Sequence, residues 1–130
     1  MEEKLKKILS CDRRFAFTTN KKLSDDLNAS HLVINGGTSA AAEAIASGLP
    51  VIFIDLKNWF NENILDGCPG LAFVSDNPSD LEKIVHRCLT INENDYITNL
   101  NQSIEYVKNM YNEFSLEKFK NHIFAYSNGN

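Results

Sequence analysis

Apolar residues recur at three- and four-residue spacing near both ends of the chain and gather into short unbroken runs in its middle, the pattern of helices around a few buried strands. Over residues 2–10, Leu5, Ile8 and Leu9 stand among Lys and Glu, which predicts an amphipathic helix. Phe15, Ala16, Phe17, Thr18 and Thr19 predict a short strand, and residues 20–22 a turn. Ser24 is placed to cap a brief helix through residue 28, with Asp25 and Asp26 in its first turn.

The middle of the chain is the most regular. Residues 31–35, HLVIN, form an apolar, β-branched run that stops at Gly36 and Gly37, as a buried parallel strand does. Thr38 and Ser39 then open an alanine-rich helix that carries Glu43 and Ile45 and ends at Gly48, Leu49 and Pro50. Residues 51–56, VIFIDL, are the next strand, so the segment reads as a βαβ unit with a right-handed crossover.

Beyond it, residues 58–66 suggest another helix closed by Gly67, Pro69 and Gly70, and residues 71–74 a short strand. Asn77 and Pro78 open a helix through residue 89 with Leu81, Ile84, Val85 and Leu89 on one face. Two C-terminal helices follow over residues 92–110 and 115–126, within a helical tail spanning about 92–126. The sum is one Rossmann-like α/β domain over residues 1–130, with a mostly parallel sheet of about four strands flanked by helices.

Length and charge narrow the function classes. A chain of 130 residues holds one domain with a real core, and 43% hydrophobic with 23% charged residues is ordinary for a globular protein. The net charge of -4, with basic residues only in short pairs such as Lys6 and Lys7, Arg13 and Arg14, or Lys21 and Lys22, disfavours a nucleic-acid groove. The same pairs leave room for peripheral docking to an anionic membrane. Cys11, Cys68 and Cys88 lie far apart, which suits reduced thiols in a cytoplasmic protein and forms no zinc spacing. The opening MEEKLKKILS interrupts its apolar residues with charge, unlike a signal peptide.

Candidate chemistry concentrates in INGGTSAAAEAIASGLPVIFID, residues 34–55. Gly36 and Gly37 lack a Cβ, so the backbone can turn sharply and a ligand can come close. Amides near Thr38, Ser39 and Ala40 are unpaired at a helix start, where the helix dipole favours a phosphate or diphosphate. The small side chains of residues 39–42 leave room for a nucleotide, and Glu43, one turn on, can accept hydrogen bonds from ribose hydroxyls. A plainer reading stands beside this one: a glycine pair makes the turn, and alanines let the helix pack closely. Neither G-x-G-x-x-G nor the P-loop lysine motif is present.

The run ASHLVINGGTSAAAEAIASGLPVIFID resembles the donor-binding segment of GT-B glycosyltransferases: a strand, a Gly/Ser/Thr turn, a helix with Glu, then Gly-x-Pro and an apolar strand. It is most similar to the peptidoglycan N-acetylglucosaminyltransferase type and to the sugar-nucleotide hydrolases of sialic-acid-like sugar synthesis, and more distantly to UDP-N-acetylglucosamine 2-epimerases. The likeness covers residues 29–55 and continues loosely to about 89.

The resemblance implies a C-terminal, donor-nucleotide-binding half in which Gly36, Gly37, Thr38 and Ser39 lie against the diphosphate of a nucleotide sugar, UDP-type favoured, and Glu43 holds the ribose. Asn61 and Asn63, after the second strand, are candidates to touch the donor sugar. It also implies no metal or other cofactor and a role in glycan or polysaccharide synthesis. GT-B enzymes carry the acceptor, and often the catalytic base, on a first half for which this chain has no room. The chain opens at what matches the helix before the third strand, so it reads as truncated at its N-terminus, with no catalytic residue identified. Alone it is expected to be poorly active or inactive. The alternatives are a non-catalytic module or subunit needing a partner half, with homo-oligomerisation among its forms, and a hydrolase or 2-epimerase fragment acting on the same ligand.

The other conspicuous residues have structural explanations. His31 opens a strand, and His86 and His122 fall on helices. Asp55 is a candidate acid or base at a strand end, where capping the next turn is the simpler role. Trp59 and Phe60 suit core packing better than stacking on a ligand ring. Tyr106, Tyr111, Phe114, Phe119, Phe124 and Tyr126 form a core or interface stripe.

Overall fold

The computed structural model describes residues 2–57 and 62–113. Helix α1 (Glu2–Leu9) and helix α2 (Leu23–Asn28) precede strand β1 (Val33–Asn35), helix α3 (Ala40–Ala46) and strand β2 (Val51–Ile54). Strand β3 (Ala72–Ser75), helix α4 (Pro78–Thr90) and helix α5 (Glu93–Glu113) complete the order. Among the described residues the sheet has three strands, all parallel, in the order β1-β2-β3. The class is α/β, with a small open parallel sheet flanked by helices.

Register explains the buried pattern. Val33, Val51 and Ala72 align across the sheet and join one core cluster with Ala41, Ala44 and Ile45 of α3 and Val107 of α5. Ala41, Ala42 and Ala44 of α3 are almost wholly buried, so the helix lies close against the sheet on one side and α5 on the other. β2, between two neighbours, buries Val51, Ile52 and Phe53, while Ile34 on the edge strand β1 stays exposed. α4 packs on β3, where Arg87 lies over the ring of Phe73.

Local chemistry sets the helix ends. α3 stops in a Schellman arrangement: Leu49 N donates to Ala44 O and Gly48 N to Ile45 O, with Gly48 just past the cap. Asn77 caps α4 by accepting from Asp80 N at 2.8 Å, with Pro78 next in the chain. Asn92 opens α5 in the same way, accepting from Asp95 N and donating to its carboxylate.

Several expectations need correction. Residues 15–19 form no strand: Thr18 and Asn20 instead donate to the Asp26 carboxylate, tying the segment to α2, and Phe15 and Phe17 stay exposed without a sheet edge to pair with. The sheet therefore has three described strands where about four were expected. Ser24 lies inside α2, whose N-cap is Lys22 with no side-chain cap bond. Of the helix expected over 58–66, residues 58–61 lie outside the described residues, and 62–66 are loop and turn, folded by Asn63 accepting from Leu65 N. The helix expected over 115–126, with His122, Phe119, Phe124 and Tyr126, also lies outside them, as does Phe114.

Candidate functional site

The two ends of the sheet are built differently, and the candidate residues fall at one of them. At the carboxyl ends of the strands the chain turns outward three times, at Gly36 after β1, Asp55 after β2 and Asp76 after β3. Ligands of open parallel sheets collect at this edge because loops diverge there and helix N-termini point toward it.

Asn35 builds the first turn. Its buried side chain accepts from Gly37 N at 3.1 Å and donates to Ile52 O at 3.3 Å, bracing the β1–α3 turn against β2. Gly37 then takes φ of 114°, a left-handed value that a side chain would strain. Gly36 stands in open space: an added Cβ would meet no atom within 4 Å. Gly36, Gly37, Thr38 and Ser39 are all exposed, and so is Glu43, one turn into α3.

Not every amide expected to be unpaired is so. Thr38 Oγ1 accepts from Ala40 N at 3.3 Å, and the backbone oxygens of Thr38 and Ser39 take Ala41 N and Ala42 N. Ser39 is itself helical and makes no side-chain cap bond, so Thr38 is the hydroxyl that closes the helix start. Gly37 N is already held by Asn35. The amides of Thr38 and Ser39 lie between these bonds.

The neighbouring turns add charge. Asp55 N donates to Ser75 O, extending the β2–β3 pairing by one residue and leaving the Asp55 side chain half-buried at the edge. Lys57 Nζ lies 3.6 Å from Asp76 Oδ2. The Asn77 amide, and then the Lys57 cation, hold the Asp76 carboxyl below its usual range. Asp76 follows β3, two strands from the glycine turn, about 10 Å across the sheet. Asn63 is half-buried and spent on its own turn, and Asn61, Trp59 and Phe60 lie outside the described residues. His31 is exposed before β1, and His86 is exposed on α4. Among the described residues no three His, Cys, Asp or Glu side chains gather as they would around a metal ion.

The opposite edge is closed by α5. Tyr96 donates to Gly48 O at 2.6 Å, Tyr106 to Asp66 O at 2.7 Å, and Ser103 to Pro69 O at 2.6 Å while accepting from Leu71 N at 2.8 Å. Three hydroxyls from one helix thus hold the loops that enter β2 and β3. Gly70, at φ of 83°, lets the loop lie against α5: a Cβ there would collide with Asn99 O and Ser103 Oγ.

The structural residues overlooked in the sequence are Asn35, Ser103, Tyr96 and the Lys57–Asp76 pair. For Asn35 a signal existed, an amide closing an apolar run just before two glycines. Compared with family models, with curated proteins and with solved structures, the chain matches none of them.

Proposed function

We propose that the glycine turn and the start of α3 bind the diphosphate of a nucleotide sugar, and that this chain is the donor-binding half of a GT-B-type glycosyltransferase. The observation that carries the reading is the open corner at Gly36, braced from behind by Asn35 and left uncrowded in front. Thr38 and Ser39 supply amides and a short helix dipole to the phosphates. Glu43, exposed one turn further, accepts from the ribose hydroxyls. Transfer then needs a second half to bring the acceptor and the base, so binding without turnover is the expected behaviour of this chain alone.

Amide NMR during titration with UDP, GDP or CMP tests the reading. Shifts centred on Gly37, Thr38, Ser39 and Glu43 are expected, with UDP strongest. Glu43→Gln keeps a neutral acceptor and should weaken binding about tenfold, the loss of one charge-assisted hydrogen bond. No perturbation in this corner at millimolar nucleotide would overturn it.

A second reading, an interaction module completed by a partner, is favoured by the exposed edge at β1, where Ile34 is 45% exposed. Light scattering separates the two: a concentration-dependent dimer that Ile34→Lys abolishes supports the module.

A further inference from the structure

We propose that residues 3–22 form a docking arm for an anionic lipid surface, a role separate from the nucleotide reading. On α1, Leu5, Ile8 and Leu9 fall within an arc of about 100°, with Lys4 and Lys6 on its two flanks. Leu5 is 48% and Ile8 62% exposed while Leu9 is half-buried, so most of the stripe is unspent on the core. Phe15 and Phe17 are exposed too, at 51% and 44%, and Lys6 Nζ sits 5.5 Å from the centroid of the Phe17 ring, which places the aromatic loop beside the helix.

Charge says what this surface meets. Residues 1–22 hold seven of the chain's 13 Lys and Arg but three of its 17 Asp and Glu, a net +4 against -8 for the remainder. An anionic surface attracts the arm and repels the rest, so the arm leads the approach. A polyanion such as RNA would neutralise the cations yet leave four apolar side chains in water. A lipid interface takes both: acyl chains accept Leu5, Ile8, Phe15 and Phe17, while Lys and Arg stay among the headgroups. The arm is short and its charge modest, so binding is reversible and strongly salt-dependent.

Cosedimentation of the whole chain with phosphatidylcholine vesicles, with and without phosphatidylglycerol, tests this. Binding to the anionic vesicles alone is expected, falling at least about tenfold between low and high salt. Leu5→Ser with Ile8→Ser, and separately Lys7→Ser with Arg13→Ser, should each reduce it by about tenfold. Leu89→Ser, equally exposed on α4, should not, and far-UV circular dichroism checks that each variant stays folded. Equal binding to both vesicle types, no binding to either, or arm variants that bind like the parent would overturn the proposal. Binding to homopolymeric RNA that survives the Leu5 and Ile8 changes, without vesicle binding, would assign the arm to nucleic acid and overturn it as well.

Discussion

The two edges of the sheet use their loops in opposite ways. Where the chain enters β2 and β3, loop carbonyls are bound by Tyr96, Ser103 and Tyr106, and Leu71 N finds a side-chain oxygen in the core. Where it leaves β1, one buried amide braces the turn from behind and the outward side stays open. Tight fastening and open space are thus separated in the fold. A closed edge tolerates little change because its loop carbonyls and the Leu71 amide are tied to side chains of α5, while an open edge has fewer such ties to break.

Glycine substitutions give the sharpest test of that contrast. Gly70→Ala forces a side chain into α5 at a left-handed φ and should cost about 3 kcal/mol or more, read as a fall in Tm of about 10 °C. Gly36→Ala adds the same methyl to open space and should leave Tm within about 2 °C. If both lose stability alike, the corner at Gly36 is packed and no ligand sits there.

Ser103→Ala comes next, because it strips a buried amide and a loop carbonyl of their partner at once, and should cost about 2 kcal/mol in urea unfolding. Tyr96→Phe and Tyr106→Phe remove one neutral bond each, for about 1 kcal/mol apiece. Cys68 reports the same edge without mutation. Burial pushes its thiol above the usual range, more than the Ser103 contact lowers it, so iodoacetamide should modify exposed Cys11 well before Cys68. Tyr106→Phe should narrow that interval by loosening the loop through Asp66.

The smallest effect belongs to the open edge. With the Asp76 carboxyl held low in the folded chain, its contribution is complete above the usual aspartate range and is lost as pH falls below that range. Asp76→Asn should flatten that part of the acid unfolding curve, lowering stability slightly at neutral pH, where the charge contributes in full, and leaving it unchanged in acid.

The βαβ core was legible because its signals are local. Apolar runs of strand length, a glycine pair and a Gly-Leu-Pro stop each act within a few residues, and β1, α3 and β2 all fall inside the expected segments. The same logic misled at residues 15–19, whose strand pattern has no neighbour to pair with, so bonds to Asp26 prevail. The α5 hydroxyl contacts were invisible for the converse reason. Tyr96, Ser103 and Tyr106 look like ordinary helix residues, and nothing near them shows which distant carbonyls they meet. At the candidate site, the glycines and Glu43 stood out by type and spacing, whereas the bond that occupies Ala40 N depends on a hydroxyl rotamer that sequence does not encode.

The hydroxyls of α5 reach back 48, 34 and 40 residues to their carbonyls. During synthesis, therefore, the strands and the glycine corner leave the ribosome well before the helix that fastens their far side. Until Tyr96, Ser103 and Tyr106 emerge in turn, the nascent sheet lacks the hydroxyls that fasten its entry loops, and final consolidation is a late, long-range event. A chain stalled ahead of that point would expose apolar strand edges, and so become a client for chaperones.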